Sequence, residues 1–188
     1  MKYITVIFIL LSIIGCSEQS FEKACQNGNA EACSREGDLY HDGNGVDQNY
    51  TKAIEFYTKG CNGNNGRGCN VIGLLYFQGR GIEKNLFKAN EFFERACNNG
   101  YASGCTTLAW SYRDGQGLEK IDLEKAMLLF QQGCNGGDSL GCAKLGESYE
   151  KGLGTSKSLS NAKLFYKKAC DTGLEEACKD YNNLLESP

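Results

Sequence analysis

Proline and histidine are nearly missing from this chain of 188 residues, which holds one of each beside 24 glycines and 11 cysteines. So little proline beside so much glycine favours helices separated by glycine turns over a disordered segment. A single histidine cannot supply an active site that needs several histidine ligands. We therefore expect an ordered helical chain that carries no metal and no cofactor.

Long runs of one charge are also missing. The chain has 20 lysines and arginines against 23 aspartates and glutamates, which gives a formal net charge of −3. A nucleic-acid surface would need basic residues clustered on one face. We therefore expect no nucleic-acid partner.

One apolar run is present, from Ile4 to Ile14 near the N-terminus. It is too short to span a bilayer and has the length of a signal-peptide core. The run leads into Ile-Ile-Gly-Cys ending at Cys16, which resembles a bacterial lipobox. We predict a lipoprotein signal peptide over 1–15, and a lipidated Cys16 with a polar tether over 16–24. The alternative is an ordinary cleaved signal, with Cys16 as a spare thiol and a secreted product.

The other ten cysteines form five pairs, and the two members of each pair are eight residues apart. From pair to pair the first cysteine advances by 36, 36, 37 and 36 residues. A fixed period of this size predicts a repeat architecture. The pairs are Cys25 and Cys33, Cys61 and Cys69, Cys97 and Cys105, Cys134 and Cys142, and Cys170 and Cys178.

Metal binding and disulfide bonding are the two readings of this cysteine ladder. Structural zinc sites favour two to four residues between ligands, often with histidine, which this spacing does not match. An even set of cysteines in an exported chain indicates a disulfide framework. We therefore predict a bridge within each pair.

Two helical patterns alternate within each period. The first, here called the A-helix, follows the second cysteine and places that cysteine, an apolar residue, Gly or Ala, and Tyr on one face, as in 69–76. A G-x-G pair then marks the helix end. The second, the B-helix, carries Ala with aromatic residues three and four positions later, as in 52–57. Each bridge should therefore join a B-helix to the next A-helix across their turn.

These patterns predict an all-α fold, a right-handed α/α superhelix stapled by disulfides. It should consist of four helix-turn-helix repeats and a C-terminal capping helix, within a repeat domain over 25–188. The predicted repeats cover about 25–60, 61–96, 97–133 and 134–169, and the cap covers 170–188.

The units resemble Sel1-like repeats, which are relatives of the tetratricopeptide repeat. The resemblance rests on L-G-x-x-Y in the A-helix, the G-x-G turn, and K-A-x-x-F in the B-helix. With the cysteine ladder, the chain resembles the cysteine-rich Sel1-like family of exported bacterial proteins, the Hcp type. The departures are Glu36 in place of Ile or Leu, Asn161 in place of Lys, and Thr155 in place of an apolar residue. We expect them to weaken packing in the first and fourth repeats.

The resemblance implies two functions. Sel1-like repeats generally hold protein or peptide partners, and members of the cysteine-rich family are often described as penicillin-binding proteins or β-lactamases. A serine β-lactamase needs S-x-x-K with S-D-N and K-T-G, and neither supporting motif occurs. S-x-x-K occurs at Ser20 and at Ser160, where Ser160 falls at a B-helix start and a helix N-cap is the ordinary role of serine. Catalytic residues cannot be assigned.

For binding, a row on the A-helices opposite the core face is the candidate surface. The row is charged at both ends and apolar in the middle repeats, the pattern of an anchor with a polar rim. Trp110 could equally pack in the core. The candidate residues are Arg35, Asp38, Val71, Leu74, Thr107, Trp110, Lys144 and Glu147.

The expected function is therefore a peptide- or protein-binding scaffold in the bacterial envelope. The alternatives are a β-lactam-binding or β-lactam-hydrolysing enzyme and a secreted host-interaction protein, so cell-wall and β-lactam compounds are further candidate ligands. We expect a periplasmic monomer that touches the membrane through its Cys16 lipid alone.

Overall fold

The computed structural model describes residues 21–186, and every regular element in that range is an α-helix. Helix α1 covers 21–26, and all the helices that follow have 12 or 13 residues. They are α2 (Ala30–Asp42), α3 (Tyr50–Asn62), α4 (Gly66–Gln78), α5 (Leu86–Asn98), α6 (Ala102–Asp114), α7 (Leu123–Asn135), α8 (Ser139–Lys151), α9 (Leu159–Asp171) and α10 (Glu175–Glu186). The A-helices are α2, α4, α6, α8 and α10, and the B-helices are α3, α5, α7 and α9.

Short polar side chains start most of these helices. In α3, for example, the Asn49 side chain accepts a hydrogen bond from the Lys52 amide, which satisfies one of the amides that a helix start leaves unpaired. Ser158 does the same for α9 through the Asn161 amide. Ser160 is therefore the second residue of α9, and the expectation of an N-cap at Ser160 is wrong by two positions.

The helices form two compact units, over 21–84 and 85–186 of the described chain. In the first unit, α3 packs against α2 and α4. In the second unit, each of α6 to α9 packs against the helix before it and the helix after it, from α5 to α10. The expected helix-turn-helix packing of neighbours is therefore present within each unit.

The core of each unit is built around the B-helix alanines and the second aromatic of the B-helix pattern. All four alanines are fully buried, as at Ala53, and the small side chain allows close helix approach. Tyr57, Phe93, Phe130 and Tyr166 are buried beside them. The first aromatic is half-buried in three repeats, and Phe56 stacks on Tyr40 of the A-helix at 5.6 Å between ring centres. The aromatic stripe is thus core at its second position and an inter-helix stack at its first.

The G-x-G pair has two roles, of which the sequence pattern revealed one. Its first glycine is the left-handed C-cap of the A-helix, as at Gly115 with φ of 69°. The second glycine, Gly117, also has a positive φ of 67° and lies against Leu86 at the start of α5. A Cβ on Gly117 would lie 2.6 Å from the Leu86 carbonyl carbon. Gly81 and Gly154 lie in the same way against Tyr50 and Leu123. The second glycine is therefore a packing position between consecutive repeats.

Five disulfides staple the helices, and they join the five pairs of the cysteine ladder. Each bridge links the end of one helix to the following A-helix, with Cα atoms 4.3–4.6 Å apart. The predicted disulfide-stapled, all-α repeat fold is confirmed.

Two local expectations differ from the structure, and one departure from the repeat pattern lies in the core. The tether expected over 16–24 is helical from residue 21, and the earlier part lies outside the described residues together with the signal peptide and Cys16. The A-helix begins three residues before its cysteine, as α2 does before Cys33, because Asn29 caps it there. Glu36 is buried, with 4% of its surface exposed, so it occupies the core position that Ile72 holds in the next repeat.

Candidate functional site

In the first unit, the candidate row consists of Arg35 and Asp38 on α2, and Val71 and Leu74 on α4. Val71 and Leu74 are half-buried, and Arg35 is exposed. Asp38 accepts hydrogen bonds from the Tyr57 hydroxyl at 2.7 Å and from the Arg67 guanidinium at 2.8 Å. This part of the row therefore has a polar end on α2 and an apolar end on α4.

The polar end of this unit is an internally paired network. Arg35 forms a 3.0 Å ion pair with Glu31, and Asn65 donates to the other Glu31 oxygen at 2.6 Å. The bond from Arg35 lowers the pKa of Glu31 most strongly, and the bond to Asp38 raises the pKa of Arg67. A ligand here would have to compete with bonds that the protein already makes.

In the second unit, Trp110 on α6 is half-buried rather than fully buried. Its indole meets Phe130 edge-on, with ring centres 6.0 Å apart. The Arg113 guanidinium carbon lies 3.8 Å from the indole centre, and the Lys144 ammonium nitrogen lies 5.1 Å from it. One edge of Trp110 therefore packs in the core, and cations lie over its ring. Trp110 thus has features of both roles that the sequence allowed, a core residue and an exposed binding anchor.

Lys144 and Glu147 on α8 continue the row. Glu147 receives the ammonium of Lys144 at 3.0 Å and that of Lys151 at 2.6 Å. Burial raises the pKa of Glu147, but the bonds from Lys151 and Lys144 outweigh it, so the pKa lies below its ordinary value. Thr107 on α6 bonds the Ser103 carbonyl of its own helix at 2.8 Å. The structure brings Trp110, Lys144 and Glu147 together through Lys144, and Thr107 stays outside these contacts.

A cavity of about 330 Å³ adjoins this cluster, between α8, α9 and α10. Its apolar wall includes Leu140 and Leu174, and the rest is mostly charged. The acidic side chains around it are Glu147, Glu150, Glu176 and Asp180. Burial, followed by repulsion from Glu176 and Glu150, raises the pKa of Asp180. The cavity therefore carries surplus negative charge, which the cap helix supplies in part.

Two residues that matter here, Arg67 and Glu176, were missed by the sequence reasoning. Both occupy the position two residues before the second cysteine of their repeat, just outside the predicted row. The register of the ladder would have found them, because side chains at that position start the A-helix beside the row.

The serine and histidine candidates are not assembled into a catalytic set. The Ser160 hydroxyl lies 3.1 Å from the Ser158 hydroxyl, and Ser20 lies outside the described residues. His41 contacts Asp42 at 2.6 Å on the exposed end of α2. Between residues 21 and 186, no group of three or more His, Cys, Asp or Glu side chains could hold a metal ion.

Four stretches of the chain match the Sel1 repeat, over 30–65, 67–101, 102–138 and 139–174. These stretches cover most of the chain, so the protein belongs to the Sel1 repeat family. Sel1 repeats generally mediate protein–protein interaction, and the fold is a protein-interaction scaffold. The search of curated proteins returned no match.

Several solved structures are similar to this chain. It is similar to cysteine rich protein B of Helicobacter pylori, with 32% identity, a TM-score of 0.57, and coverage of 69% of this chain and 92% of that one. A Sel1 repeat protein from Oxalobacter formigenes gives 26% identity, a TM-score of 0.81, and coverage of 87% and 66%. The uropathogenic Escherichia coli protective antigen c5321 gives 23% identity, a TM-score of 0.80, and coverage of 86% and 34%.

The likeness to the Helicobacter pylori cysteine rich protein supports the cysteine-rich branch of the family. The chain spans about a third of the length of the Escherichia coli antigen and about two thirds of the Oxalobacter protein. Disulfide-rich Sel1 relatives are typically exported, and five disulfides in one chain fit the same oxidising, extracytoplasmic surroundings. Within residues 21–186, the helices are too short and too polar to cross a membrane.

Proposed function

We propose that the protein is an extracytoplasmic scaffold that binds an extended segment of an envelope protein along its A-helices. The observation that carries the proposal is present in each unit by itself. The A-helices carry half-buried apolar side chains, Val71 and Leu74 in the first unit and Trp110 in the second, together with ion-paired charged side chains. Interfaces of this composition place aromatic and Arg anchors inside a polar rim. The family's general role in protein interaction supports the same function.

Selecting binders from a displayed peptide library against the oxidised protein tests this function. Selected peptides should bind wild-type protein in calorimetry and should bind Trp110→Ala at least tenfold more weakly, because the indole is the largest apolar surface of the row. Leu164→Ala is the matched control, since this leucine is 59% exposed on the B-helix α9. Failure to select any binder, or equal binding by both variants and wild type, would contradict the proposal.

A β-lactam-hydrolysing enzyme is not favoured. The Ser160 hydroxyl lies within hydrogen-bond distance of the Ser158 hydroxyl, and Ser158, not Ser160, is the N-cap of α9. Within residues 21–186, the Ser160 hydroxyl is therefore not part of an assembled set of nucleophile, base and orienting group of the kind that acyl transfer requires.

The lipid anchor remains part of the proposal. Cys16 is the one cysteine outside the ladder, and a lipid on its thiol would hold the scaffold at the membrane surface. Cys16→Ser should move the processed protein from the membrane fraction to the soluble fraction, as immunoblots of fractionated cells would show. A processed Cys16→Ser protein that stays in the membrane fraction would rule out the anchor.

A further inference from the structure

The cavity between α8, α9 and α10 has a counterpart in the first unit at the same repeat positions. There, Arg67 at the start of α4 bonds Asp38 of α2 at 2.8 Å, and the Tyr57 hydroxyl bonds the same carboxylate. The A-helix α4 thus places the Arg67 guanidinium against the A-helix α2, beside the buried Tyr57 of the B-helix α3. In the first unit, the group held at this position is a guanidinium.

In the second unit the same position on α10 is Glu176, two residues before Cys178 as Arg67 is two residues before Cys69. Tyr166 corresponds to Tyr57, and its hydroxyl bonds Glu150 of α8 at 2.8 Å. A glutamate cannot bridge to the carboxylates of α8 as Arg67 does to Asp38. A cavity of about 330 Å³ lies beside Glu176. The first unit also has a cavity at these positions, of about 410 Å³, but there Arg67 supplies a cation that pairs with Asp38.

The charges around the cavity do not balance. Lys144 and Lys151 both pair with Glu147, and Glu150 accepts its bond from Tyr166. Among the ion pairs of residues 21–186, none includes Glu176 or Asp180. Burial raises the pKa of Asp180 most strongly. Repulsion from Glu176, Glu150 and Glu147 raises this pKa further, against a lowering by Lys144, which reflects the same surplus of negative charge.

We propose that this cavity binds an arginine or lysine side chain of the protein segment that the scaffold holds, as a counterpart of the cation that Arg67 supplies in the first unit. The inference rests on the proposed scaffold function and names the chemistry of its partner. Charge-assisted bonds to Glu176 and Asp180 would hold the cation, and the stem would lie on the wall formed by Leu140 and Leu174.

Four peptides of nine residues test the proposal, identical in an alanine-serine sequence except for arginine, lysine, glutamine or glutamate at the centre. Titration into the oxidised, isotope-labelled full chain is followed by NMR. The arginine and lysine peptides should shift the amide signals of Glu147, Glu176 and Asp180, with affinity at least tenfold above the glutamine peptide. Binding that does not distinguish arginine from glutamine would overturn the inference.

Two charge-matched variants locate the site. Glu176→Arg supplies the guanidinium internally, as Arg67 does, and should weaken the arginine peptide at least tenfold. Glu175→Arg makes the same charge change at the adjacent position of the same helix start. Both glutamates are exposed, but Glu175 does not line the cavity, so this variant should weaken binding less than threefold. Equal losses in both variants would mean that net charge alone attracts the peptide, and would overturn the cavity assignment.

The outcomes separate this inference from the scaffold function. If library-selected peptides bind on the row but the arginine peptide does not bind in the cavity, the inference is wrong and the scaffold function stands. If no peptide of either kind binds, the scaffold function is wrong and the inference falls with it.

Discussion

At the scale of single residues, Asp38 links three helices of the first unit, because its carboxylate accepts a hydrogen bond from the Tyr57 hydroxyl at 2.7 Å and pairs with the Arg67 guanidinium at 2.8 Å. Asp38 and Arg67 are 29 residues apart in successive repeats, and neither residue type recurs at its position, so no periodic signal marks the pair. The Cys61–Cys69 bridge, by contrast, follows from a spacing visible in the sequence. The sequence does not decide whether Trp110 is core or surface, because an indole with one edge packed and a cation over its face has features of both.

The Asp38 network gives a prediction on stability. Asp38→Ala removes the acceptor of the buried Tyr57 hydroxyl and the partner of Arg67, so it should lower the free energy of unfolding by about 1–3 kcal/mol. Asp47→Ala, on an exposed loop of the same unit, should change it by less than about 0.5 kcal/mol. Denaturant unfolding of the oxidised proteins measures both, and equal losses would show that the network does not stabilise the unit.

Asp180 gives a prediction on pH dependence. The pKa of Asp180 is raised in the folded protein, so folding disfavours the charged form of this carboxyl. The free energy of unfolding should therefore fall as the carboxyl loses its proton, which happens as the pH rises above about 4. The groups facing it are Glu176 on its own helix, Glu147, Glu150 and Lys144 on α8, and Tyr166 on α9.

Asp180→Asn should therefore raise the melting temperature at pH 7 and leave it unchanged at pH 3, where the wild-type carboxyl is protonated. The gain should stay below about 1 kcal/mol, because solvent screens a partly exposed group. Thermal unfolding at the two pH values measures it, and a variant less stable than wild type at pH 7 would contradict the predicted sign.

At the scale of helices and turns, the sequence predicted the order and type of every element from α2 to α10, because alternating patterns and glycine stops agree. Helix starts were less well predicted. The first A-helix starts three residues early, at Ala30 after the Asn29 cap, and α9 starts after Ser158, since capping depends on which polar side chain reaches a free amide. The packing role of Gly117 was missed because its contact, Leu86, lies in the preceding repeat.

Gly117→Ala tests that role. Alanine there would have a strained positive φ and a Cβ too close to the Leu86 backbone, and the two effects should together cost about 2–4 kcal/mol. Gly100→Ala is the matched control, since Gly100 has φ of 77° and nothing within 4 Å of an added Cβ, so it should cost only about 1 kcal/mol. Denaturant midpoints compare the two, and equal costs would reduce the role of Gly117 to that of a turn residue.

At the scale of the whole molecule, the repeat number, the disulfide framework and the family were all accessible from the sequence, because a period repeated four times reinforces each local signal. The cavity beside the cap helix was not accessible. It lies where Glu176 takes the position that Arg67 has in the first unit, and only the packed helices show that Glu147, Glu150 and Asp180 surround the same space.

The central claim is that a peptide binds on the A-helices. Mapping amide hydrogen exchange in the oxidised full chain, with and without a library-selected peptide, tests it most directly. The account predicts slower exchange in A-helices that carry the row, above all α6 and α8, while the outer face of α7 and α9 stays unchanged. Protection concentrated on α7 and α9, around the exposed Leu128 and Leu164, would contradict it.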